Sequence, residues 1–503
     1  MFIDNINGGI GPLCVVFGIA ILTYPVCCIV YNLFFHPLRH VTGPKIRAAS
    51  RLPYIKTLLE GWMVQDSKRL HEKYGPVVRV APDEVSLAYA EAWGDVFQAT
   101  NGKPPFEKDR LWWQPPKGGT DDIVTAPNTA MHSRMRKVLH HSFTPRALVA
   151  QEPILQQYVQ LLVQKLREQI PTGEDSTVLD IVPWLNYVTF DIIGDLSYGE
   201  SFNCLESQKL HSWIKLIFEN VRGFCLFTSA RFYPSIEFAL MKCIPSWVHD
   251  TQKDHYRFVT EKVNRRMNWE VQRPDLMSQV MRHNDKDGMS AEEIHANFNK
   301  LMIAGSETSG TLLSGVVNLL ITNQEVLQKL VKELRERFPD ESGMTLEQLS
   351  SLSYLNAVLS EGMRLCPPVP IMLPRRAPKE GAYVGGLWIP GGTSVGVQAW
   401  TIYRDPAHFH NSESFMPERW LPEAEISTSP FFADKRNAVQ PFGVGPRSCI
   451  GKLLAWGEMR LILAKLVWAF DLEAEGEILK WEGQRTFILV EKKPVNIRIR
   501  VRN

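Results

Sequence analysis

A chain of 503 residues, 45% of them hydrophobic, can bury a large core, which excludes a disordered protein. A formal net charge of +2 with no long basic run excludes a polyelectrolyte, so no nucleic-acid partner is expected. The 8 cysteines lie scattered without C-x-x-C spacing, which excludes a disulfide framework or a zinc knuckle.

The first element is residues 10–35, IGPLCVVFGIAILTYPVCCIVYNLFF, a run without Asp, Glu, Lys or Arg. A bilayer core needs roughly 20 apolar residues, and this run is long enough to cross it with tilt. No basic residue precedes it and no small-residue cleavage site closes it, so an uncleaved anchor is expected rather than a signal peptide. Arg39, Lys45, Arg47 and Arg51 follow the run and Asp4 precedes it, which turns the body of the chain toward the cytoplasm. In a eukaryotic cell that means a single-pass protein of the endoplasmic reticulum membrane. The expected division is an anchor over 1–36 and one catalytic body over 37–503.

Pro37, Gly43 and Pro44 make a stiff linker after the anchor. Residues 77–87 alternate as two short strands around a Pro-Asp turn, and 101–128 form a loop-rich stretch. Helical periodicity then predicts helices over 129–143, 152–169, 178–196, 209–221, 249–273 and 291–322, followed by 324–337 and 354–366. Strands and turns occupy 371–397, and a last helix starts after Cys449. The expected fold class is mainly α with a smaller β region.

The chemistry concentrates in PFGVGPRSCIG, residues 441–451. Cys449 has no partner cysteine nearby, Gly445 and Gly451 flank it, and Phe442 leads the run. Glycines allow positive φ and let a loop press against a flat ligand. The following helix N-terminus and nearby amides favour a thiolate. Arg447 could meet a carboxylate of the same ligand. Haem answers these demands, with a thiolate below the iron and an arginine at a propionate.

With that motif the chain resembles the cytochrome P-450 family of haem-thiolate monooxygenases. Three further motifs match in the family's order. AGSETS, residues 304–309, matches its oxygen-activation helix, and the resemblance implies a local opening there with Thr308 and Glu307 delivering protons. EGMR at 361–364 and PERW at 417–420 imply a buried charge network of Glu361, Arg364 and Arg419 supporting the cysteine loop. HSRMRKVLHHSF, residues 132–143, implies that His132 and Arg136 face the haem propionates, although many members carry tryptophan at the first position. Arg375 stands where the family often supplies another propionate partner, and adjacent Arg376 leaves that choice open.

The likeness covers the chain from anchor to C-terminus and looks closest to fungal secondary-metabolism members, of the isotrichodermin hydroxylase kind. It implies haem b ligated by Cys449, and cofactor contacts from His132, Arg136, Arg375, Phe442, Arg447 and Gly451. It also implies an NADPH-cytochrome P-450 reductase as electron donor, because this chain shows no G-x-G-x-x-G of its own. An apolar small-molecule substrate would be lined by the loop 108–123, Leu301, Ala304 and 369–372. Arg134, Lys137, Arg146 and Lys452 are expected on the reductase-facing side. Two other readings stay open: a haem-thiolate isomerase or dehydratase needing no reductase, and a membrane-anchored haem sensor.

Overall fold

The computed structural model describes residues 19, 23–98, 105–115, 118–371 and 374–502. Six of its helices carry the site: α1 (Thr129–His140), α2 (Pro145–Arg167), α3 (Ile181–Tyr198), α4 (Ala291–Thr322), α5 (Ser353–Leu365) and α6 (Lys452–Ala469). The longest, α4, has 32 residues and spans about 48 Å at 1.5 Å per residue. Ser290 and Glu293 start it with a reciprocal capping box, in which each side chain accepts from the other's backbone N–H. Helix α3 is apolar on nearly every face, so it can lie only in the interior, and there it packs along α4.

The close approach of α3 and α4 explains the small residues at 304–310. A Cβ on Gly305 would stand 2.9 Å from Ile193 Cδ1, and one on Gly310 would stand 2.7 Å from Asn186 Oδ1. The expected opening of the helix is absent, and α4 runs unbroken from Ala291 to Thr322. Its hydroxyls turn back on the helix instead: Ser306 donates to the Met302 carbonyl at 2.7 Å and Thr308 to the Ala304 carbonyl at 2.6 Å.

Two element boundaries also differ from expectation. Helix α2 begins at Pro145, capped by the Thr144 hydroxyl, and Pro153 inside it hid the earlier turns from a periodicity reading. Residues 176–180, expected partly in a helix, form a strand because the C-terminal strand Asn496–Val501 pairs with them, Ile499 opposite Thr177. That strand also pairs with Phe470–Ala474, closing a three-stranded sheet.

The larger sheet brings distant segments together. Its strands are β1 (Val77–Ala81), β2 (Glu84–Leu87), β3 (Glu107–Lys108), β4 (Arg375–Arg376) and β5 (Ser394–Val397), in the order β1-β2-β5-β4-β3. Only β2 and β5 run parallel, and the other neighbours are antiparallel. In this register Lys108 stands directly opposite Arg375. Like charges in that position are unfavourable unless something anionic joins them.

Among the described residues no helix is long and apolar enough to cross a membrane. Residues 1–18 and 20–22 of the expected anchor lie outside the described residues. Its remaining part is helical from Thr23 and leaves Tyr24, Val26, Phe34 and Phe35 exposed.

Candidate active site

The cysteine loop precedes α6 and is closed by its own backbone. The Cys449 N–H donates to the Phe442 carbonyl at 2.8 Å, and the Ser448 N–H to the Gly445 carbonyl at 3.0 Å. Positive φ falls on Gly443 (+65°) and Gly445 (+75°). A Cβ on Gly445 would sit 2.2 Å from the Phe97 carbonyl oxygen, so that position demands glycine. Gly451 differs from expectation: its φ is −83°, and it serves as the N-cap of α6. Its Cβ position lies 4.0 Å from the Cys449 sulfur, so the loop passes close to the thiol there.

Cys449 is accessible in the loop, with Arg136 and Lys452 near its sulfur. Ala304, midway along α4 between half-buried Ile303 and Gly305, is likewise accessible. Burial pushes the Cys449 thiol up, while the Gly451 backbone, Arg136 and Lys452 pull it back toward the thiolate. Arg136 also donates to the Ser448 carbonyl at 2.7 Å, tying α1 to the loop. The Phe442 ring lies 6.4 Å from that of Trp456 on α6.

Beside the cysteine loop stands a cluster of cationic and basic groups: Lys108, His132, Arg136, Arg375 and Arg447. Burial drives the His132 pKa down to about 3, helped by Arg447, Arg136, Lys108 and Arg375, so its imidazole is neutral. Burial and Arg447 lower Arg375 to about 9, and burial with Arg375 and Arg447 holds Lys108 well below the ordinary lysine value. Arg447 donates to the Ala126 carbonyl at 2.9 Å. Its other nitrogen, Nη2, and Arg375 Nη1 are buried with no hydrogen-bond partner among the described residues. Buried cations with idle donors are costly in isolation. A planar ligand carrying two carboxylates supplies the missing acceptors and charge, so these residues fit haem.

The strand pleat decides between the neighbouring arginines. Arg376 turns to the opposite face, pairing with Asp109 at 3.0 Å and Asp83 at 3.4 Å, while Arg375 turns inward. Lys108 was not singled out in the sequence as a cofactor contact. Its signal lies in the pairing of β3 with β4, which no local pattern reveals. Arg134 is the one member of the expected reductase-facing set that has an ion-pair partner among the described residues. It is engaged by Glu293 at 2.6 Å, while no ion pair involves Lys137, Arg146 or Lys452 among the described residues.

The charge network is buried as expected and larger than expected. Arg364 donates twice to Glu361, at 2.8 and 2.7 Å, and Arg419 donates to it at 3.0 Å. Trp420 Nε1 adds a fourth contact at 2.9 Å, and Asp434 takes the far side of Arg419. Burial opposes the Glu361 charge, but the two arginines hold its pKa below the ordinary value. Tyr403 connects this network to the cysteine loop. Its carbonyl accepts from Arg364 at 2.7 Å, and its hydroxyl accepts from the Gln440 N–H at 2.8 Å.

On α4, Thr308 is half-buried and Glu307 is buried and engaged. Its Oε1 accepts from Lys492 Nζ at 2.5 Å and from Thr311 at 3.2 Å. Ser309 donates at 2.8 Å to Glu458 of α6, a fully enclosed carboxyl that burial pushes up to about 8. Neither Lys492 nor Glu458 stood out in the sequence, since each meets α4 from far along the chain.

The family model for cytochrome P450 matches residues 49–498. The chain is a cytochrome P450. It is 40% identical to the cytochrome P450 monooxygenase lcsI of Purpureocillium lilacinum over 98% of this chain and 95% of that relative. It is 40% identical to the cytochrome P450 monooxygenase efuB of Hormonema carpetanum, covering 95% of both chains. Against the averantin hydroxylase of Dothistroma septosporum (strain NZE10 / CBS 128990) it is also 40% identical, over 95% of this chain and 90% of the relative. As a member of this monooxygenase family, the P450 uses a cysteine-ligated haem iron.

Proposed function

We propose that this P450 hydroxylates or epoxidises an apolar small molecule in fungal secondary metabolism, with Cys449 as the iron ligand. One observation carries the reading: Lys108, Arg136, Arg375 and Arg447 gather around His132, two of their buried guanidinium nitrogens lack acceptors among the described residues, and Arg136 ties that cluster to the Cys449 loop. When bound, haem supplies dioxygen activation from electrons delivered by an NADPH-cytochrome P-450 reductase.

The chain's residues supply the rest. Arg136, Arg375, Arg447 and Lys108 offer charged donors to the propionates, and neutral His132 offers a ring N–H without adding charge. Phe442 and Gly451 shape the loop around the sulfur. Thr308 keeps its hydroxyl oxygen on α4, where it can pass a proton or hold a water, and Glu307 is the nearby acid. Leu301, Ala304, Ile123 and Val369 give the pocket apolar walls, and Met372 of the expected lining lies outside the described residues. Lys137, Arg146 and Lys452 form the docking side for an acidic reductase face. The exposed apolar residues at 24–35 support an anchor in the endoplasmic reticulum membrane, with the body facing the cytoplasm.

The test is reconstitution of the full chain with the reductase and NADPH under isotopically labelled dioxygen, against a panel of polyketide and terpenoid scaffolds. One labelled oxygen atom in the product, with reductase-dependent turnover, is the expected result. Conversion without the reductase and without label would assign an isomerase or dehydratase instead.

A further inference from the structure

The acid beside Thr308 is held by a residue from the far end of the chain. Lys492 has three N–H donors, and each meets an oxygen: Glu307 Oε1 at 2.5 Å, Asn186 Oδ1 at 3.0 Å and Thr311 Oγ1 at 3.1 Å. These acceptors come from α3 and α4, whose close approach at Gly310 places Asn186 within reach. Lys492 itself is delivered by a pinned segment. The Glu491 N–H donates to the Arg485 carbonyl at 2.8 Å, and the Lys493 N–H donates to Gln484 Oε1 at 2.7 Å. Phe487, in the hairpin Thr486–Val490 just before Lys492, is buried against Gly61, where a Cβ would come within 2.8 Å of its ring.

Glu361, which supports the fold, has both oxygens satisfied. Glu307 does not: its Oε2 is buried with no hydrogen-bond partner among the described residues. Lys492 therefore occupies one oxygen and leaves the other available.

We infer that Lys492 is a positioning residue for proton delivery: it keeps Glu307 in an ion pair through Oε1 and leaves Oε2 as the oxygen that exchanges protons. This rests on the monooxygenase reading above and adds a part played by the segment that follows the C-terminal hairpin. One proton enters at Oε2 from water and leaves by the same oxygen toward the Thr308 hydroxyl, so Glu307 ends as it began and Lys492 neither gives nor takes one. Without the ammonium, the buried carboxyl takes up a proton and holds it.

The test uses the haem-loaded full chain and two readouts. Infrared difference spectra should show one additional protonated-carboxyl band in Lys492→Met, absent from the Glu307→Gln/Lys492→Met double variant and from Lys492→Arg. With the reductase, NADPH and dioxygen alone, Lys492→Met should consume NADPH about tenfold more slowly, from ~1.4 kcal/mol in the barrier. Lys492→Arg should restore most of that rate. The double variant removes both charges of the pair, so its haem content separates a folding defect from a lost position. An unchanged carboxyl region in Lys492→Met would overturn the inference. So would a slow rate that Lys492→Arg fails to recover while haem content stays normal. If the parent itself consumes no NADPH with the reductase, the monooxygenase reading falls, and the infrared arm still decides whether Lys492 sets the Glu307 charge.

Discussion

Glu458 makes the pH dependence of stability calculable. It is enclosed in α6, receives one hydrogen bond from Ser309, has no ion-pair partner among the described residues, and is pushed up to about 8 by burial. In the unfolded chain a glutamate titrates near ~4.3. The folded state therefore keeps a proton that the unfolded chain releases. The stability tied to that proton is complete below the unfolded pKa. It declines as pH rises and is lost once pH passes about 8. At 1.36 kcal/mol per unit, the total is ~5 kcal/mol. An unfolding entropy of ~2.1 cal/mol/K per residue gives ~1 kcal/mol/K for a chain this long, so the shift in Tm is about 5 °C. Glu458→Gln keeps an acceptor for Ser309 and cannot ionise. Scanning fluorimetry of parent and variant from pH 4 to pH 9 should show the variant gaining on the parent by that amount. Other titrating groups cancel in the difference. Two parallel Tm curves would refute the reasoning, because Glu458 would then ionise in the folded state as it does in water.

The other predictions concern the cofactor and its support. Cys449→Ala should lose the red-shifted Soret band of the ferrous carbon monoxide complex, and a variant keeping that band would place another ligand on the iron. Arg364→Ala should cost ~3–5 kcal/mol by leaving Glu361 uncompensated, read as a fall in haem-loaded yield and thermal stability. Arg375→Met should raise the rate of haem loss to apomyoglobin about tenfold, whereas Arg376→Met, which removes the pair with Asp109, should leave it within twofold. Thr308→Ala should bind haem normally and divert NADPH into hydrogen peroxide, with Thr308→Ser recovering much of the coupling.

What the sequence made legible was local. The cysteine loop, the Glu361–Arg364 pair and the positions of Glu307 and Thr308 each sit within one turn or one helix, where spacing alone fixes neighbours. Arg419 was reached through a family resemblance, and Asp434, which completes its coordination, was not. The missed residues share a different cause. Lys108 acts through a strand pair with Arg375, Lys492 reaches α4 across 185 positions, and Glu458 meets Ser309 across 149. Tertiary packing creates those contacts, and no periodicity encodes them. The strand at 176–180 was misread for the same reason, since its partner is the last strand of the chain. The α4 opening failed on chemistry instead: the hydroxyls that weaken a helix by propensity also bond back to its carbonyls.

The interior charges fall into two kinds, and the difference separates support from function. Around Glu361 every charge meets its opposite: two arginines, an aspartate, a tryptophan N–H and several carbonyls close the network inside the protein. Such a set rigidifies the segment it joins, and Tyr403 carries that rigidity to the cysteine loop. The cluster around Arg375 is the reverse, with Lys108 facing Arg375 across two strands and two arginine nitrogens left without acceptors. Burying mutual repulsion makes physical sense only where a dianionic partner belongs to the folded state. Glu307 falls between the two kinds, half satisfied by Lys492 and half open. A closed network resists titration, whereas an open carboxyl oxygen can take a proton and give it up, and the proposal for Glu307 rests on that difference.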